Sequence, residues 1–161
     1  MIEELRIRAL GVIDEAVVAF APGFTVLTGE TGAGKTMVLT GLGLIMGEKS
    51  DAGLVRTGAE RADVDGAWRV STQSSPGLAE RLDEAGAAYD TDDGHLDLML
   101  GRSVADGGRS RAFVGGRSVP AATLGEITEQ LIAVHGQSDQ LLLRDPRRQR
   151  ELLDRKSTRL N

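Results

Sequence analysis

Residues 29–36 read Gly-Glu-Thr-Gly-Ala-Gly-Lys-Thr, and this octet constrains the fold more than any other stretch of the chain. It satisfies G-x-x-x-x-G-K-[ST] at every position, a pattern that does its work between a strand and the start of a helix. Glycines leave room for main-chain N–H groups to turn inward around an oxyanion with no side chain in the way. The helix that follows offers unpaired N–H groups and the positive end of its dipole. An ammonium at Lys35 would neutralise β- and γ-phosphate charge, and the Thr36 hydroxyl would reach Mg²⁺. Gly29, Glu30, Thr31, Gly32, Ala33, Gly34, Lys35 and Thr36 are therefore the expected phosphate-binding residues, with Lys35 also catalytic and Thr36 also a metal ligand.

The flanks fit that context. Residues 3–10 alternate apolar and polar side chains, as a half-buried strand does, and residues 13–20 give a second strand after Gly11. Pro22-Gly23 signals a turn, and residues 24–28 (Phe-Thr-Val-Leu-Thr) predict a short buried strand leading into the loop. A helix is predicted over residues 35–46, with Val38, Leu39, Leu42, Ile45 and Met46 inward and Gly47 as its C-terminal cap. Further on, Val64, Trp68 and Val70 mark a strand, residues 76–85 a short helix, and residues 91–94 a turn. Leu96, Leu98 and Leu100 mark another strand, Gly115-Gly116 a hairpin, and Pro120 the start of a helix carrying Leu124, Ile127 and Leu131. Asp145-Pro146 predicts a charged helix beginning at residue 146.

Composition removes several classes of chemistry. The chain has no cysteine, so disulfides, thiolate metal sites and cysteine nucleophiles are excluded. His95 and His135 are too far apart in sequence for metal-ligand spacing. No stretch reaches the roughly 20 apolar residues of a membrane span, and the acidic N-terminus is unlike a signal peptide, so a cytoplasmic protein without membrane partners is expected. The net charge of −5 argues against a polycation, but it is unevenly spread. Arg102, Arg109, Arg111 and Arg117 cluster against the single acid Asp106, a run that suits either a solvated hairpin or nucleic-acid phosphates. Asp90, Asp92 and Asp93 lack calcium-loop spacing and read as a solvated turn, and Trp68 reads as core.

Four stretches together resemble the bacterial RecN DNA-repair proteins, over about residues 1–155. The first is Glu4-Leu5-Arg6-Ile7-Arg8-Ala9-Leu10-Gly11-Val12-Ile13-Asp14-Glu15-Ala16, leading to the octet at 29–36. The second is Ala52-Gly53-Leu54-Val55-Arg56-Thr57-Gly58-Ala59-Glu60-Arg61-Ala62. The third is Gly108-Arg109-Ser110-Arg111-Ala112-Phe113-Val114-Gly115-Gly116-Arg117, and the fourth Val134-His135-Gly136-Gln137. The RecN proteins are SMC-like members of the ABC ATPase group. The resemblance implies an α/β fold, a P-loop NTPase of the ABC/SMC-like head type, N-terminal half only, with an antiparallel β portion. It implies ATP and Mg²⁺ as ligands, and Gln137 as the Q-loop glutamine, a catalytic residue and metal ligand that senses the γ-phosphate. It also implies that Arg56 is the arginine-loop residue near the phosphates or DNA. The partners it implies are the C-terminal half of the head, a head–head homodimer and DNA, with recruitment to the nucleoid after damage. Residues 1–150 would form the N-terminal part of the head and 146–155 the start of a coiled-coil arm.

Two pieces of such an ATPase are not seen in the sequence: an apolar strand ending in Asp-Glu, and a Ser-Gly-Gly signature segment. Residues 156–161 do not resemble the family, which suggests a truncated frame with a foreign tail. The expectation is an ATP-binding segment of a double-strand-break repair and recombination ATPase, inactive in hydrolysis by itself. The alternatives are a nucleotide-gated interaction module and a small P-loop kinase or GTPase; the latter has no Asn-Lys-x-Asp guanine-reading motif here.

Overall fold

The computed structural model describes residues 1–30, 32 and 34–132. The alternation near the N-terminus gives β1 (Ile2–Leu10), which pairs antiparallel with β2 (Ile13–Ala19), placing Leu5 opposite Val18 and Ile7 opposite Ala16. Leu5, Ile7 and Leu10 are fully buried, while Arg6 and Arg8 occupy the other face. The period of two thus separates a core face from a wet face, as a one-sided sheet requires.

Five more strands complete the sheet: β3 (Arg61–Ser71), β4 (Asp90–Asp92), β5 (His95–Ala105), β6 (Ser110–Val114) and β7 (Arg117–Val119). Their order is β2-β1-β3-β5-β6-β7, with β4 beside β5, and every pairing among the described strands is antiparallel. The turn expected at 91–94 contracts to Asp93-Gly94, because Asp90–Asp92 pairs with β5. The hairpin at Gly115-Gly116 forms as expected between β6 and β7.

Three helices cover one face: α1 (Lys35–Ile45), α2 (Leu78–Glu84) and α3 (Ala121–Thr128). The core lies between them and the sheet, with Leu5, Ile7, Val64, Trp68, Leu98 and Leu100 from strands meeting Leu44, Ile45, Leu124 and Ile127 from helices. Each such aliphatic side chain contributes about 1.5–3 kcal/mol on full burial. Trp68 is core, as its place in the β3 alternation predicts.

The inward face of α1 differs from the one predicted. Val38, Gly41, Gly43, Leu44 and Ile45 are buried, but Leu39 is 61% exposed. The helix approaches the sheet at Gly41, where a Cβ would lie 3.2 Å from Ile7 Cδ1 and 3.4 Å from Val64 Cγ1. Contact at a residue without a side chain brings Gly41 and Leu44 inward and leaves Leu39 on the exposed side.

The strand predicted over residues 24–28 is not formed. Phe24 is 90% exposed and Val26 61%, and no described strand pairs with them. β-rich composition supplies half of a strand and a neighbour supplies the other half. All described strands belong to the antiparallel sheet, which does not extend to this segment. The helix predicted from residue 146, the proposed arm at 146–155, the tail at 156–161 and the Val134-His135-Gly136-Gln137 stretch lie outside the described residues.

Candidate phosphate-binding site

The loop closes onto α1 through Gly34, which caps the helix with φ 89°, a left-handed conformation that a side chain disfavours. No side chain caps this N-terminus, and the first turn carries no acid. Its leading N–H groups therefore lack an intramolecular acceptor from a cap residue, and the positive end of the dipole is not offset. Lys35 bends back over the loop, and its ammonium donates to the main-chain carbonyls of Gly29 and Glu30. The charge is thus held within the curve of the loop. Thr36 is exposed on the first turn of α1. Thr31 and Ala33 lie outside the described residues, as does Gln137.

A cavity of about 460 Å³ opens beside the loop. It is lined by Gly32, Gly34, Lys35 and Val38 from the loop and α1, by Leu27 and Thr28, and, as a third wall, by residues 12–16. Its size lies within the roughly 300–1,000 Å³ typical of small-molecule sites. The third wall was not legible from the motif. It brings Asp14 and Glu15 to the edge of the cavity, and its sequence sign is the Gly11 turn between two strands.

Arg56 is not among the cavity-lining residues. Its Nη1 donates to the Val12 carbonyl at 2.8 Å, and its Nε lies 3.8 Å from Asp14 Oδ1. It meets the site through the wall.

The four arginines of residues 102–117 do not form one patch. Arg109, Arg111 and Arg117 are exposed, whereas Arg102 is 4% exposed on the core face of β5. Arg102 Nη2 donates to Ser110 Oγ at 3.0 Å, and its Nε and Nη1 are buried without a partner among the described residues. Burial lowers its pKa from the usual guanidinium range. A core position in the β5 alternation, two residues after Leu100, was the available signal. Arg69 bridges Asp92 at 3.1 Å and Asp97 at 3.0 Å, so part of the acidic run is paired. The hydrogen bond from Arg69 to Asp92, followed by the Asp97 charge, raises the Arg69 pKa. No group of three metal-ligating side chains occurs among the described residues.

The AAA domain family matches residues 4–84, which run from β1 through the loop to α2. The DNA repair protein RecN of Streptomyces coelicolor is 54% identical over 151 residues, 94% of this chain and 25% of that protein. The chain belongs to the RecN family. It spans about a quarter of the length of the RecN relatives it matches. A solved structure from work on ATP-driven dimerization and DNA-stimulated activation of SMC ATPases superposes with a TM-score of 0.62 at 20% identity, over 95% of this chain and 97% of that one. The recombination mediator RecF, solved with ATP, superposes at 0.61 with 16% identity, over 96% of this chain and 38% of that one. This RecN-family segment therefore has the ABC/SMC-like head fold, and its family is one of DNA repair proteins. Among the described residues no helix is long and apolar enough to cross a membrane.

Proposed function

We propose that this RecN-family segment binds ATP as its magnesium complex, with residues 29–36 holding the phosphates. The observation that carries the reading is an uncapped helix N-terminus with an ammonium folded over it, beside a cavity of suitable size. This donor set fits a polyphosphate: main-chain N–H groups from the loop and α1, and one charged side chain. Lys35 turns from the carbonyls of Gly29 and Glu30 to the β- and γ-phosphates. Thr36 contributes one metal ligand and Gln137 a second. Bound Mg²⁺ supplies further neutralisation of phosphate charge.

Hydrolysis requires a water-positioning group as well as a phosphate cradle. In this proposal that group comes with the C-terminal half of the head and with a head–head homodimer, consistent with the ATP-driven dimerization described for the SMC structure. The exposed apolar segment at 24–28 is the surface that the rest of the head would cover. The full-length protein would then act on broken DNA in the cytoplasm, at the nucleoid, as its relatives' designation as DNA repair proteins suggests.

Calorimetric titration of the folded 161-residue chain with Mg-ATP tests the binding step. Lys35→Ala is expected to weaken affinity by at least about 10-fold, the equivalent of roughly 1.4 kcal/mol. A folded chain that gives no binding isotherm overturns the proposal. A nucleotide-gated interaction module shares the binding step and parts from this reading at turnover. In that case, ATP hydrolysis would stay absent when the remainder of a full-length relative is supplied.

A further inference from the structure

We infer that Arg56 is a positioning residue for the nucleotide, one that holds the wall formed by residues 12–16 against the phosphate loop without touching the ligand. The inference rests on the phosphate-loop reading above and deepens it.

The β1–β2 turn is held by two parts of the chain. On the loop side, a Cβ at Gly34 would lie 3.1 Å from Ile13 Cγ1, so Ile13 packs directly on the end of the phosphate loop. Gly11 faces Met37 of α1, whose Sδ lies 2.5 Å from where a Gly11 Cβ would stand. Residues 54–56 hold the turn as well, through two main-chain hydrogen bonds that together form the Leu10–Val55 bridge. The Gly11 N–H donates to Leu54 O at 2.8 Å, and the Arg56 N–H donates to Ala9 O at 2.9 Å. These ties stop at Gly11. The wall begins one residue later, and there the Arg56 side chain takes over with its 2.8 Å bond to the Val12 carbonyl.

The choice of side chain has a reason. Guanidinium carries donors in more than one direction on a planar head, so one arginine can hold Val12 O and face Asp14 together. Asp14 is 89% exposed and lies 3.8 Å from Nε, so that ion pair is weak and screened. The charge-assisted bond to Val12 is the stronger contact. The residual effect of the pair is still directional, because a carboxylate beside a polyphosphate site opposes anion binding and Arg56 offsets it.

The test compares Mg-ATP and Mg-ADP affinities of the 161-residue chain with those of its variants. Arg56→Ala is expected to weaken both by the same factor, about 3- to 10-fold, the net scale of one ordinary hydrogen bond at an exposed site. Arg56→Lys, which keeps one donor able to reach Val12 O, should recover part of the loss. Asp14→Asn removes the opposing carboxylate from the cavity edge and should strengthen both affinities slightly, by up to about 2-fold, because the group is exposed and screened. If Arg56→Ala does not fold, Arg56→Gln gives the same comparison with a neutral side chain of related length. Loss of ATP affinity with ADP unchanged would mean direct contact with the γ-phosphate and would overturn the proposal. So would a lowered melting temperature with both affinities intact, since that describes a purely structural residue. Failure of the parent chain to bind either nucleotide would remove the phosphate-loop reading and this one with it, a result distinct from a variant that matches a binding-competent parent.

Discussion

Arg102 shows how far a residue's sequence neighbourhood can mislead. Beside Arg109, Arg111 and Arg117 it reads as part of a basic run, yet the β5 register pairs it with Val64 and Ala112 on the core side. Among the described residues its buried guanidinium has a single hydrogen bond, to Ser110 Oγ. A buried charge with two unmet donors costs several kcal/mol, and an apolar side chain of similar length often replaces one without loss. Arg102→Met is therefore expected to leave stability unchanged or raise it by about 1–4 kcal/mol. Ser110→Ala removes the remaining acceptor and should lower it by about 1–3 kcal/mol. Urea denaturation of the two variants checks both. A loss of several kcal/mol in Arg102→Met would show that the guanidinium has a partner beyond the described residues. Lys35 differs in that its contacts are local: its ammonium donates to the Gly29 and Glu30 carbonyls of the same octet.

The elements themselves were legible where one local rule decides. Alternating apolar residues located β1, β3 and β5, an apolar run after Gly11 located β2, and Gly115-Gly116 located the hairpin between β6 and β7. The end of α1 was also legible. The Gly47 N–H donates to Leu44 O at 3.1 Å and the Glu48 N–H to Gly43 O at 3.0 Å, the paired bonds of a left-handed C-terminal cap. What sequence left hidden was the face α1 presents, because spacing ranks leucines above glycines while packing selected Gly41. The cap carries a prediction of its own. Gly47 has φ 83°, and a Cβ there would stand 2.7 Å from Ala121 O and 3.0 Å from Gly125 Cα. Gly47→Ala should destabilise by more than about 1–2 kcal/mol, since the left-handed conformation alone costs that much for an L-residue. Asn tolerates that conformation, but its Cβ meets the same atoms of α3. Gly47→Asn should therefore also unfold at lower urea, and parent-like stability would refute the contact with α3.

On the scale of the whole molecule, the failure at residues 24–28 has a physical explanation. Strand propensity is local, but strand formation is a property of two chains of backbone, and no strand of the described sheet pairs with this segment. Phe24 at 90% exposure and Val26 at 61% leave apolar surface in water, where burial would return about 1.5–3 kcal/mol per large side chain. Such a surface is covered by other parts of a longer protein or by neighbouring copies. Two measurements follow for the 161-residue chain. In hydrogen exchange at low concentration, amides of residues 24–28 should exchange far faster than those of β3 and β5, whose ladders are complete on both sides. In light scattering, Phe24→Ser with Val26→Thr should reduce self-association while Mg-ATP affinity stays within about 3-fold, because neither side chain lines the cavity. Slow exchange at 24–28 in a monomeric sample would mean that the segment is already paired. The phosphate loop would then stand on a formed strand, and the surface proposed for the remainder of the head would have to lie elsewhere.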